Sequence, residues 1–118
     1  MKYTLICYSK WSTCKKAKAW LEGNNIEFEE RPIKENNPTE NELKDWIKKS
    51  EYPLKKFFNT SGTVYKNLNL REKLINMSDE EQIKLLSTDG MLVKRPLLVS
   101  EDVILVGFKE DEWKTKLK

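Results

Sequence analysis

The chain opens with a run of β-branched and aromatic residues and then changes to apolar positions spaced three or four apart. Tyr3-Thr4-Leu5-Ile6-Cys7-Tyr8 has the composition that favours a strand. Ala17, Trp20 and Leu21 recur between lysines and predict a helix from about Ser12 to the Gly23-Asn24-Asn25 cluster, residues suited to a left-handed stop. Ile26 to Ile33 then alternates apolar with polar residues, a half-buried strand that Pro32 keeps at a sheet edge. Thr39 followed by Glu42 has capping-box spacing, and Leu43, Trp46 and Ile47 give the helix behind it an apolar face.

From Leu54 to Leu86 the pattern is helical with breaks. Leu54, Phe57 and Phe58 predict one short helix, ended by Asn59-Thr60-Ser61-Gly62, and Leu68 to Met77 predicts another. Ser78 and Glu81 make a second capping box ahead of Ile83, Leu85 and Leu86, and Asp89-Gly90 ends that segment. Val93 to Val99 and Val103 to Val106 predict a hairpin around Ser100-Glu101-Asp102. Phe108 to Leu117 predicts a closing helix with Trp113 and Leu117 on one face.

The order is therefore β-α-β, a helical block, then β-β-α. A β-α-β start requires a right-handed parallel crossover, and the later hairpin adds antiparallel strands to the same small mixed sheet. The expectation is one α/β domain over residues 1–118, a thioredoxin-like fold with a mostly helical insertion at 39–90. Pro96 lies inside an apolar run, where it removes a ladder hydrogen bond. A cis Arg95–Pro96 peptide making a tight bend and a trans proline opening a strand are both open.

Composition narrows the chemistry. A chain of 118 residues can bury a core without staples, and 35% charged residues with a mean hydropathy of −0.72 predict a soluble protein. No apolar run approaches the roughly 18–20 residues that span a bilayer, so no membrane association is expected. The opening strand followed by lysines does not resemble a signal peptide, and two cysteines point to a reducing cytoplasm. A formal net charge of +3 gives no reason to expect direct nucleic-acid binding. The absence of histidine excludes a Cys–His dyad and a histidine zinc site, and no metal is expected.

The remaining chemistry centres on Cys14. A thiol in the first turn of a helix meets free N–H groups and the positive end of the dipole, and both favour thiolate. Lys10, Lys15 and Lys16 stand beside it in sequence. Trp11-Ser12-Thr13-Cys14 sits where redox proteins of the thioredoxin type place Cys-x-x-Cys, with the second cysteine present and the first replaced by tryptophan. Cys14 has two open readings, a reactive thiol or a small buried hydrophobe. Cys7, alternating with its strand neighbours, reads as core packing, and a Cys7–Cys14 disulfide is not expected because strand and helix would have to converge. Trp11 is open between a packed aromatic, a cap over Cys14 and a docking face. Trp20, Trp46 and Trp113 read as core, and Lys15, Lys16, Lys18, Lys55 and Lys56 as solvated surface.

Four ordered stretches then carry a resemblance that spans most of the chain: Ser12 to Leu21, Phe57 to Gly62, Asp89 to Leu97, and Val106 to Asp111. Together they resemble the arsenate reductase/Spx family, nearest to its arsenate-reductase-like branch, with a degenerate Trp-Ser-Thr-Cys motif. The resemblance implies a thioredoxin-like fold and a cis Pro96 facing the thiol. In the family's arsenate reductases the nucleophilic cysteine holds the position of Trp11, and three arginines handle the oxyanion. The first falls near Asn59, the third near Phe108 or Lys109, and only the second survives, as Arg95. One guanidinium cannot supply the bidentate bonds of three, so true arsenate reduction is not expected.

What remains is a cytoplasmic monothiol redox protein with Cys14 and Arg95 as catalytic residues. Trp11, Ser12, Thr13, Pro96 and Lys109 are its substrate-binding candidates. It would hold no cofactor, take a protein or small-molecule disulfide as partner, and use glutathione or another low-molecular-weight thiol as reductant. The alternative is a redox-responsive or non-catalytic binding module that contacts the RNA polymerase α subunit, as the resemblance to Spx implies.

Overall fold

The computed structural model describes residues 3–8, 10–50 and 52–117. Strand β1 (Tyr3–Cys7) is followed by helix α1 (Ser12–Gly23) and strand β2 (Phe28–Pro32), which pairs with β1 in parallel. After a long helical block come β3 (Leu97–Val99) and β4 (Ile104–Val106), antiparallel to each other, with β3 antiparallel to β1. The sheet order is β2-β1-β3-β4. This is the thioredoxin-like arrangement expected, a mixed sheet flanked by helices. Among the described residues no helix is long and apolar enough to cross a membrane.

The two-residue period of the strands builds two apolar cores. Leu5, Leu98 and Leu105 face one side and pack with Ala17 and Leu21 of α1 and Trp113 of the last helix. Ile6, Leu97, Val99, Ile104 and Val106 face the other side and meet the helical block. Tyr8 joins that second side, whereas Cys7 follows Leu5 toward α1. Because α1 returns beside the sheet, the end of β1 and the first turn of α1 are neighbours.

Within the block, α2 (Glu40–Lys49) and α5 (Asp79–Leu86) start on the capping boxes of Thr39/Glu42 and Ser78/Glu81, both formed reciprocally. Leu54–Phe57 is a single 3-10 helix, and Phe58 leaves it to bridge Val93. The Leu68–Met77 helix is interrupted: Asn69 adopts φ 53°, so α4 (Leu70–Lys73) begins after it and passes into a 3-10 turn at Leu74–Asn76. A short helix with no counterpart in the sequence pattern, α3 (Thr63–Asn67), precedes that break. Asp89 caps a 3-10 turn at Gly90–Leu92 instead of simply ending a segment.

The strand expected from Val93 starts only at Leu97, because the Arg95–Pro96 peptide is cis and bends the chain first. The last helix, α6 (Glu110–Leu117), begins two residues beyond Phe108. Its Trp113 is fully buried, packs edge-on against Phe108 and donates Nε1–H to Gly107 O at 3.0 Å. Trp20 is only half-buried, against Phe108 and Trp113. α1 stops as expected, with Asn25 in the left-handed region at φ 58°.

Candidate functional site

Cys14 lies in the first turn of α1, on the face that continues through Ala17 and Leu21, and it is 3% exposed. Its Sγ accepts the Tyr8 N–H at 3.4 Å. Cys7 is half-buried and free, packed against the α1-side core as its alternation predicts. The strand and the helix do converge at their cysteines, and both thiols line one cavity of about 400 Å³. Lys15, Lys18, Glu30 and Pro32 form much of the rest of its wall. Lys18 and Glu30 pair across it at 2.6 Å.

This contact divides the two thiols chemically. The hydrogen bond from Cys7 lowers the Cys14 pKa; burial opposes this, while the Tyr8 N–H and the Arg95 charge assist it. The same hydrogen bond, together with burial and the negative charge at Cys14, pushes the Cys7 thiol far up. Of the two, Cys14 is the more readily ionised and Cys7 the more firmly protonated. Lys10, Lys15 and Lys16 stand exposed, and the acidifying contacts on Cys14 come from Cys7, Tyr8 and Arg95 instead.

Arg95 is 3% exposed, behind Trp11. Its guanidinium carbon sits 4.4 Å from the Trp11 ring centroid and 5.8 Å from that of Tyr8, and Nη1 donates to Met91 Sδ at 3.1 Å. Nε has no hydrogen-bond partner among the described residues. Burial lowers the Arg95 pKa, against the opposing pull of negative charge at Cys14. A stacked, desolvated guanidinium of this kind is stabilised by about 2 kcal/mol by the ring.

The sequence candidates thus fall on two sides. Trp11, Thr13, Arg95 and Lys109 line a second cleft of about 210 Å³, with Lys94 and Phe108 in its wall. Ser12 is exposed at the start of α1, and Pro96 is buried behind the cis bend. Cys14 lines the first cavity with Cys7. Asn59 is buried; its N–H bonds Leu92 O at 2.7 Å and its side chain accepts from Ser61.

Sequence reasoning did not bring Cys7 beside Cys14, although the signal was present. The alternation that puts Leu5 toward α1 puts Cys7 there too, and Cys14 begins the buried stripe of that helix. In a β-α-β crossover the helix runs back along the sheet, so its first turn meets the end of the strand before it.

Known proteins resemble this chain in sequence and in fold. The family model described as the ArsC family matches residues 7–116. The uncharacterized protein YusI of Bacillus subtilis is 51% identical over 113 residues, 96% of each chain. The global transcriptional regulator Spx 2 of Bacillus anthracis is 30% identical over 101 residues, 86% of this chain and 76% of its own. Among solved structures, a putative ArsC family related protein from Bacteroides fragilis superposes with a TM-score of 0.96 at 58% identity, covering 100% of this chain and 98% of that one. With the sheet, the cis bend and nearly every residue of the chain inside these matches, the protein belongs to the ArsC family and counts Spx regulators among its relatives.

Proposed function

We propose that this protein is a cytoplasmic thiol–disulfide exchange protein whose nucleophile is Cys14. The observation that carries the proposal is the seat of that sulfur: an N–H at 3.4 Å, a thiol donor beside it and a buried guanidinium nearby, all favouring thiolate. The cavity beside it gives a small disulfide, or a loop carrying one, a route to the sulfur. Arg95 acts from behind, by charge. Trp11 lies on the guanidinium and Asn59 replaces a second arginine, so the cleft lacks the forks that arsenate reduction requires. Thr13 and Lys109 line the Trp11 side of the helix start.

The test is labelling of native protein with a thiol reagent at neutral pH. Cys14 should react in the folded state, and Cys14→Ala should abolish reduction of a model disulfide by glutathione. Labelling that needs denaturant would overturn the proposal. The match to Spx 2 supports a second reading, a redox-responsive module that binds the RNA polymerase α subunit. Co-purification of polymerase with native but not oxidised protein is its expected result.

A further inference from the structure

The two cysteines of the chain meet at one cavity. Tyr8 N is 3.4 Å from Cys14 Sγ and is bonded to the carbonyl carbon of Cys7. Backbone dimensions then put the Cys14 sulfur within about 6 Å of the Cys7 Cα. The Cys7 backbone is fixed, because β1 pairs it with Pro32 and its carbonyl accepts the Ile33 N–H at 2.9 Å. Both side chains line the 400 Å³ cavity.

The charges around that cavity are unequal. Glu30 is taken up by Lys18 at 2.6 Å, and Arg31 by Glu42 at 2.6 Å. Lys15 is exposed and has no ion-pair partner among the described residues. A carboxylate entering the cavity therefore meets an unmatched ammonium one residue from the nucleophile.

We propose that Cys7 is the resolving thiol for Cys14, and that the β2 side of the sheet admits a low-molecular-weight disulfide carrying a carboxylate. This rests on Cys14 being the nucleophile. In the first step Cys14 thiolate attacks one sulfur of the disulfide; a Cys14–sulfur bond forms, the substrate S–S bond breaks and one substrate thiolate leaves. In the second, Cys7 passes its proton to that thiolate and attacks Cys14 Sγ. The Cys7–Cys14 bond forms and the second half of the substrate leaves as thiolate. The protein thiols lose two electrons, the disulfide gains them, and two equivalents of a low-molecular-weight thiol restore the reduced pair. The order is enforced locally. While Cys14 is charged it holds Cys7 protonated, and once Cys14 is capped that hold is gone.

Reduced protein exposed to a small excess of glutathione disulfide tests this, read by mass spectrometry of the peptides. The parent should give a peptide cross-linked between residues 7 and 14 with little adduct, and Cys7→Ala should accumulate a stable glutathione adduct on Cys14. Its release should be at least about tenfold slower than in the parent. Cys7→Ala should also shift the labelling of Cys14 to higher pH. Lys15→Gln should slow the first step with glutathione disulfide and leave the rate with uncharged hydroxyethyl disulfide unchanged. A persistent Cys14 adduct in the parent would overturn the resolving role while keeping Cys14 as nucleophile. An unmodified Cys14 in both proteins would overturn the nucleophile itself. Equal effects of Lys15→Gln on both disulfides would remove the carboxylate preference.

Discussion

Trp11, the first residue of the Trp-Ser-Thr-Cys motif, lays its ring 4.4 Å from the centre of the Arg95 guanidinium. The cation–π contact compensates a charge that is otherwise desolvated. Removing the ring should therefore do two opposite things. Trp11→Ala is expected to lose about 1–2 kcal/mol in urea unfolding and to gain affinity for a divalent oxyanion. Low-millimolar sulfate should raise the Tm of the variant and not that of the parent; equal shifts would show that the ring does not cover the guanidinium. Cys14 makes a second prediction at this scale. Because its thiolate is favoured in the fold, its iodoacetamide labelling should keep its full rate below the ordinary thiol pKa of about 8.5.

Between elements, the decisive contact joins the sheet edge to the helical block. Arg31 of β2 makes a two-pronged pair with Glu42 of α2 at 2.6 and 2.8 Å, and its remaining donors reach the carbonyls of Asn36 and Asn37. The same carboxylate accepts the Thr39 N–H at 3.0 Å, so it caps the helix while holding the strand. Arg31 is the main reason that the Glu42 pKa is lowered to about 2. A carboxylate depressed in the folded state stabilises above its unfolded pKa, and that stability disappears as pH falls from about 4.5 through about 2. Discounted for partial exposure, the pair is worth about 1–2 kcal/mol. Glu42→Gln should cost that amount at pH 7 and progressively less as pH falls toward 2, measured by urea titration. Gly90 supplies another joint: a Cβ there would meet Ile33 O at 2.0 Å, so Gly90→Ala should lower stability by about 3 kcal/mol.

These elements were legible in proportion to how local their causes are. Both capping boxes and the Asn25 stop depend on residues within a few positions, and they appear where the spacing put them. Thr63–Asn67 has too few residues for an apolar period to register, and the left-handed Asn69 splits what a ten-residue window merges. The strand before Pro96 was lost to the cis bend, which neighbouring residues permit without requiring. The site was half legible. Cys14 and Arg95 stand out by type and motif, whereas the pairing of Cys7 with Cys14 depends on how a strand end meets a helix start.

For the molecule as a whole, stability rests on two cores separated by four strands. The α1–α6 side is the smaller, and Trp113 fills it with no exposed surface while tying α6 to Gly107. Trp113→Ala should cost about 3–5 kcal/mol. Trp113→Phe, which keeps most of the contact and loses the N–H bond, should cost about 1–2 kcal/mol. Similar losses for the two would mean that the ring is not packed as described.

The outer strand β2 ends on a residue that has no amide hydrogen, and Glu29, Glu30 and Arg31 precede it. A proline and charged side chains are poor templates for another strand. That flank consequently resists being zipped to a neighbouring chain, and the opening beside Pro32 stays in contact with solvent.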